Sequence, residues 1–190
     1  MKLSDLKAGS NTKQTLLLPA ASPYPIEITA ICGSQPGKTL IVTAGIHGCE
    51  YVGIEALNRL KKELDPAGLS GRVILLPLVN PEGFYMGAKQ TIPADGQNLN
   101  RMFPGDPAGT FSSRFAKILE KVLYPEADFL MDLHGGDINE ALTPLIFFPA
   151  AVPNTLAAKT SAAASALSVP YRVASTSKNG LYSWAAQCGI

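Results

Sequence analysis

Three side chains of metal-binding type occur at positions that could bring them to one point. His47 and Glu50 lie three residues apart at the turn into a predicted helix, and His134, the only other histidine, ends a second apolar run. Glycine follows each histidine and lets neighbouring groups approach closely. Two imidazoles, a carboxylate and an open position for water form a catalytic zinc site. A lone histidine is more often structural or exposed, so the residues alone leave metal binding and a structural role equally open.

Two predicted strands must deliver these side chains. Apolar runs within residues 38–43 and 128–133 precede the two histidines. Open α/β sheets bind their ligands at the carboxyl ends of parallel strands, so the 134 − 47 = 87 residues between the imidazoles need not keep them apart. The helix predicted for residues 50–64 has apolar residues at helical spacing, and its first turn favours the Glu50 carboxylate.

Predicted strands and helices alternate along the rest of the chain. Residues 1–23 are predicted to form an edge element. The other strands are predicted at residues 26–29, 72–79, 144–148 and 171–174. The other helices are predicted at residues 111–122, 154–167 and 180–187. This alternation predicts an α/β sandwich with a largely parallel sheet.

A glycine- and proline-rich segment at residues 80–109 interrupts the alternation. It has little hydrophobic periodicity, and loops of this length inside a compact domain are usually functional.

A second motif resembles a nucleotide-binding loop. Residues 33–39 read GSQPGKT, but the spacing is one residue short and Cys32 stands where the first glycine of a P-loop would be. The motif also runs into a predicted strand, whereas a P-loop must open a helix whose amides hold phosphate. We therefore interpret residues 33–37 as a hairpin turn.

Composition narrows the class of protein. The 190 residues carry 16 basic and 15 acidic side chains, which argues against a nucleic-acid partner. No apolar run reaches the length of a membrane span, and the N-terminus lacks an apolar signal core. The three cysteines, Cys32, Cys49 and Cys188, are unevenly spaced and suggest neither a disulfide framework nor a paired-cysteine metal site. We expect a reduced, cytoplasmic protein.

Four motifs in order resemble the succinylglutamate desuccinylase/aspartoacylase family. They are GIHGCE at residues 45–50, NP at 80–81, NLNRMFPG at 98–105 and DLH at 132–134. That family is similar in fold to the zinc carboxypeptidases, so the resemblance implies a three-layer α/β/α sandwich with a largely parallel or mixed sheet. It also implies one zinc ion per chain, held by His47, Glu50 and His134.

The resemblance assigns substrate-binding roles as well. It implies that Asn100 and Arg101 bind the carboxylate of an N-acyl amino acid, and arginine offers a planar fork for that purpose. Asp132 is a candidate for orienting a zinc ligand, with a purely structural role equally open. Cys49 could be a further soft ligand, but a small buried residue is the better interpretation.

The chain departs from the family pattern in two respects. The family places its general base, a glutamate, on a strand soon after a segment like residues 184–190. We therefore expect the chain to be C-terminally truncated. Residues 1–190 would form the N-terminal portion of a single catalytic domain, and the base and the rest of that domain would lie beyond Ile190. The family also has an arginine before the Asn-Arg motif and an aspartate at position 98. Here Asn98 replaces the aspartate, and Lys89 is the candidate for the missing cation.

These observations predict a zinc-dependent hydrolase that cleaves the amide bond of an N-acylated amino acid. As it stands the chain is expected to bind metal and to hydrolyse poorly. Two alternatives stay open: a zinc carboxypeptidase acting on short peptides, and a catalytically silent metal-binding domain. The expected partner is a small N-acyl amino acid. A sheet edge left exposed by truncation could also pair with a second copy, giving a homo-oligomer.

Overall fold

The computed structural model describes residues 3–18 and 23–190. The described strands are β1 (Thr12–Leu17), β2 (Glu27–Cys32), β3 (Gln35–Ala44), β4 (Ser70–Leu76), β5 (Phe129–Leu133), β6 (Leu145–Pro149) and β7 (Tyr171–Ser175). The described α-helices are α1 (Tyr51–Glu63), α2 (Pro81–Met86), α3 (Phe111–Leu123), α4 (Asn154–Ala166) and α5 (Leu181–Gln187).

A mixed sheet of five strands, in the order β1-β2-β4-β3-β5, forms the centre of the fold. The β1–β2 and β2–β4 pairs are antiparallel, whereas β3 runs parallel to both β4 and β5. Strand β3 therefore lies inside the sheet, with a parallel neighbour on each side. Since His47 follows β3 and His134 follows β5, the parallel pairing directs both histidines to the same edge.

Helices cover both faces of this sheet and give it three layers. Alternate residues of β4 point to opposite faces, and both sets are buried, which explains why its sequence is a continuous apolar run. On one face Val73 and Leu75 pack with Ile54 and Leu57 of α1. The other face packs against α3 and α5, with a core that includes Ile41, Ile74, Leu76, Phe115, Leu119 and Leu181. The predicted three-layer α/β/α sandwich with a mixed sheet is confirmed.

Most predicted elements form close to their predicted bounds, but the hairpin interpretation of residues 33–37 is wrong. Residues 35–37 already belong to β3, and β2 and β3 are not paired because β4 lies between them. Residues 33–39 still run into a strand and not into a helix, so the segment is not a P-loop. Residues 80–109, predicted as one irregular segment, contain the short helix α2 and a 3₁₀ turn at Leu99–Arg101. The predicted N-terminal edge element corresponds to β1, although residues 1–2 and 19–22 lie outside the described part.

Strands β6 and β7 form a separate parallel pair, packed against α4. Register brings Leu145 opposite Tyr171 and Phe147 opposite Val173, and all four side chains are exposed. Strand β5 is the last strand of the five-stranded sheet, and its outer edge has no strand partner in the described residues. No described helix is both long enough and apolar enough to span a bilayer.

Candidate metal centre

The register of β3 and β5 brings the two histidines together. Ala44, the last residue of β3, lies beside Leu133, the last residue of β5. His134 follows Leu133 directly, and His47 stands three residues after Ala44. As a result the two imidazole rings have their centroids 5.1 Å apart. The sequence prediction that two strand ends converge is confirmed.

Glu50 joins the two imidazoles through its carboxylate. Its Oε1 lies 2.7 Å from Nδ1 of His47, and its Oε2 lies 2.9 Å from Nδ1 of His134. The backbone N–H of Gly135 also donates to Oε2, over 3.2 Å. One ligand atom from each of the three residues lies within 4.8 Å of the other two, which is close enough for a shared metal ion.

The start of α1 is arranged around this carboxylate. Glu50 occupies the N-cap position of α1, yet its side chain makes no capping hydrogen bond to the helix. A capping side chain typically adds about 1 kcal/mol of stability, so the helix forgoes this contribution while the carboxylate faces the histidines. Gly48 is required here for space, because a Cβ atom at that position would overlap the backbone of Gly83 and Phe84 in α2.

The outer nitrogens of both imidazoles have polar neighbours. Nε2 of His134 lies 2.9 Å from Oδ2 of Asp132, a carboxylate that is fully buried. The hydroxyl of Thr43 donates to the other oxygen of Asp132 over 2.6 Å. Nε2 of His47 lies 3.2 Å from Oδ1 of Asn98. Both rings are therefore held with Nδ1 towards Glu50.

The centre is closed on one side and open on the other. The side chains of His47 and Glu50 are 10% and 8% exposed, whereas that of His134 is 32% exposed. Burial raises the pKa of Glu50, but hydrogen bonds from His134 and His47 outweigh it and lower the pKa to about 2. The carboxylate is therefore ionised, and the exposed side at His134 gives a small molecule access.

The loop at residues 98–101 packs against the histidines. Oδ1 of Asn98 accepts the backbone N–H of Asn100 over 2.9 Å. Asn100 is buried, its Oδ1 accepts the N–H of Leu181 over 2.9 Å, and its Nδ2 lies 3.5 Å from Nε2 of His134. Gly180 is needed beside it, since its φ is +114° and a Cβ there would lie 2.9 Å from Oδ1 of Asn100.

Arg101 and Lys89, the other candidate residues, contact residues other than the three metal-binding side chains. Arg101 is exposed and donates from Nη1 to the carbonyl oxygen of Asn100 over 2.9 Å. Lys89 is half exposed, and its Nζ lies 3.6 Å from Oε1 of Glu140. Carboxylate binding by Asn100, Arg101 and Lys89 stays a prediction. Cys49 is fully buried and is outside the metal-binding group, as expected of a small buried residue.

Sequence reasoning missed two contacts. Thr43 was treated only as part of a strand, although the parallel register pairs it with Asp132. Asn98 was noted only as a departure from the family pattern, although it touches a histidine. The first contact depends on which residue of β3 lies beside Asp132, and no local pattern in the sequence gives that register.

The donor set fits zinc. Two neutral imidazoles and one ionised carboxylate are the ligands of many catalytic zinc sites, whereas magnesium and calcium prefer oxygen donors alone. The group can accept a fourth ligand from the side where His134 is exposed.

Residues 36–188 match the sequence profile of the succinylglutamate desuccinylase/aspartoacylase catalytic domain. The chain belongs to this family. Its relatives include the N-alpha-acetyl-L-2,4-diaminobutyric acid deacetylase of Halomonas elongata, which is 44% identical over 100 residues covering 53% of this chain and 29% of the deacetylase. The succinylglutamate desuccinylase of Pseudomonas paraeruginosa is 38% identical over 82 residues, which cover 42% of this chain and 23% of the desuccinylase.

Solved structures of the family share the fold. A succinylglutamate desuccinylase/aspartoacylase from Rhodobacter sphaeroides superposes with a TM-score of 0.81 at 33% identity, covering 94% of this chain and 55% of the other. The product-bound ectoine utilization protein EutE (DoeB) of Ruegeria pomeroyi gives a TM-score of 0.78 at 29% identity, covering 94% of this chain and 56% of the other. The chain thus spans about half the length of these family members.

The electrostatics of the centre predict an unusual titration in metal-free protein. Burial lowers the pKa of His134, but the charge of Asp132 and hydrogen bonds to Asp132 and Glu50 outweigh it and raise the pKa from 6.5 to about 10. A pKa raised on folding adds stability that is complete below pH 6.5 and is lost as the pH rises through 10. An NMR titration should place the His134 midpoint well above 6.5, and Asp132→Asn should move it down. A wild-type midpoint at or below 6.5 would contradict this account.

Proposed function

We propose that this protein is the zinc-binding part of a hydrolase that cleaves the amide bond of N-acylated amino acids. The observation that carries the proposal is the convergence of His47, Glu50 and His134, in a member of a family whose relatives include a deacetylase and desuccinylases. Zinc as the ion, one per chain, is part of the proposal.

The residues of the chain have separate roles in this proposal. His47, Glu50 and His134 would hold the ion, and Asp132 and Asn98 would fix the orientations of the two imidazoles. A zinc ion bound there would supply an activated water and a Lewis acid for the amide carbonyl. Arg101, exposed beside the centre, would bind the substrate carboxylate through its guanidinium. The Oδ1 of Asn100 already accepts the N–H of Leu181, and its Nδ2 would donate to substrate.

Proton transfer needs a further carboxylate. Glu50 is engaged by both histidines, and Asp132 by His134 and Thr43, so neither is free to act as the general base. We propose that a glutamate in the part of the family fold that this chain does not span acts as the base. The 190-residue chain should then bind zinc and substrate but turn over slowly.

The substrate proposed first is Nα-acetyl-L-2,4-diaminobutyrate. Its support is the Halomonas elongata deacetylase, whose aligned segment is 44% identical to this chain. N-Succinyl-glutamate is the second candidate, from the 38% identity to a desuccinylase. We also propose a reducing, cytoplasmic location, because all three cysteines are free thiols and Cys32 and Cys49 are fully buried.

Metal content tests the centre directly. After extensive dialysis, elemental analysis should find about one zinc per chain, since three ligands converge. His134→Ala should reduce this to near zero because it removes one ligand and opens the centre to water. Leu142→Ala, an exposed change in the following loop, is the matched control and should retain the metal. Full zinc occupancy in His134→Ala would contradict the assignment.

Turnover separates the candidate activities. Zinc-loaded protein, in the 190-residue form and extended to the length of its relatives, should be assayed with the acetylated diamino acid, N-succinyl-glutamate and a dipeptide. We expect hydrolysis of an N-acyl amino acid, much faster in the longer form. Preferential cleavage of the dipeptide would favour a carboxypeptidase. Zinc binding with no turnover in either form would favour the silent metal-binding domain.

The carboxylate-binding role of Arg101 has its own test. Arg101→Ala should weaken binding of the N-acyl amino acid about 10–100-fold, because a hydrogen bond to a charged group contributes about 1.5–3 kcal/mol. Calorimetry on the zinc-loaded chain measures this without turnover. Arg114→Ala is the matched control, since Arg114 is also exposed and also donates from Nη1 to a backbone carbonyl. Equal affinities for the two variants would exclude the role.

A further inference from the structure

The side chain of Asn98 contacts the metal centre from outside. Its Oδ1 lies 3.2 Å from Nε2 of His47 and 2.9 Å from the backbone nitrogen of Asn100. A single amide oxygen therefore serves a proposed ligand and the substrate-binding loop. We infer that Asn98 is a positioning residue that fixes the ring of His47 for metal binding and couples it to the loop that carries Asn100 and Arg101. The inference rests on the proposed metal centre.

The contact determines where His47 carries its proton. A backbone N–H can only donate, so the Asn98 atom that faces Asn100 is an acceptor, the amide oxygen. The same oxygen faces Nε2 of His47, and that nitrogen must therefore be the protonated one. A metal ion bound at Nδ1 would replace the hydrogen bond to Glu50, while the proton on Nε2 would keep its contact with Asn98.

The two histidines are supported differently. His134 is held by a buried carboxylate, Asp132, whereas His47 is held by a neutral amide. Glu50 and Asp132 together supply two negative charges, which balance one divalent cation. An aspartate at position 98 would add a third negative charge against the same ligand set. It should strengthen the attraction for the cation while preserving both hydrogen bonds.

The loop contact gives the same residue a second effect. Asn98 is the N-cap of the Leu99–Arg101 turn, and that turn sets the position of Asn100 beside His134. A displacement of Asn98 would therefore move both a metal ligand and the guanidinium that follows Asn100. Metal affinity and substrate affinity should change together when this side chain is removed.

Four variants separate ring orientation from capping. Asn98→Ala removes both hydrogen bonds. Asn98→Ser retains a capping oxygen, which serine supplies well, but is too short to reach His47 as well. Asn98→Asp retains both contacts. The matched control is Asp106→Ala, because Oδ1 of Asp106 caps an exposed turn in the same loop, accepting the N–H of Ala108 over 2.9 Å.

The readouts are zinc affinity, by competition with a chelator, and the visible spectrum of the cobalt-substituted chain. Removal of an outer hydrogen-bond partner of a ligand typically lowers metal affinity 10–100-fold. We expect such a loss and a shifted cobalt spectrum in both Asn98→Ala and Asn98→Ser. Asn98→Asp should bind zinc at least as tightly as the wild type, and Asp106→Ala should match the wild type. Circular dichroism checks that each variant folds. If Asn98→Ala does not fold, the comparison of Asn98→Ser with the wild type tests the inference.

The outcomes distinguish this inference from the proposed function. If the wild type binds zinc and Asn98→Ser matches it in affinity and spectrum, Asn98 is only a cap and the inference is wrong, while the metal centre stands. If Asn98→Asp binds as weakly as Asn98→Ala, the hydrogen bond to His47 is not the cause and the inference is also wrong. If the wild type binds no zinc, the proposed function fails and the inference fails with it.

Discussion

The parallel pairing of β3 and β5 is the constraint on which the candidate site depends. It places Ala44 beside Leu133, so the two histidines leave the sheet at the same edge. A shift of one residue in this register would carry His134 along the edge and reverse the face to which each residue of β5 points. The register is fixed by burial on both faces of the sheet, since α1 packs on one and α3 and α5 pack on the other. The hydrophobic core thus determines the geometry of a polar site that contributes little to it.

Within that geometry, Glu50 is a largely buried carboxylate whose charge must be compensated. A buried carboxylate is costly unless it is paired, and removing one partner from a buried pair typically costs about 3–5 kcal/mol. Glu50 is compensated by two imidazoles and by the N–H of Gly135. The start of α1 gives up a capping bond for this arrangement. The local structure around Glu50 thus favours its pairing with the two histidines at the expense of helix stability.

The sequence was sufficient for most of the elements and for the residues of the candidate metal centre, but not for all contacts between elements. Strong periodicity located α1 and α3, and apolar runs located β4 and β5, because these patterns are local. The hairpin interpretation of residues 33–37 was wrong because strand order is a long-range property, and β4 inserts between β2 and β3. The candidate metal ligands were indicated by their residue types and by the family motifs, whereas the contact of Asn98 with His47 joins residues 51 positions apart. Local patterns do not encode such a contact.

The uneven exposure of the centre also bears on how an ion would exchange. The side chains of His47 and Glu50 are largely buried, whereas roughly a third of the His134 side chain faces solvent. Dissociation would then begin at His134, the most exposed of the three side chains. A chelator would approach from the same open side as the proposed substrate. Saturating substrate or product should therefore slow metal loss by blocking access to the ion. The lifetime of the bound ion would then depend on whether the site is occupied by substrate or product.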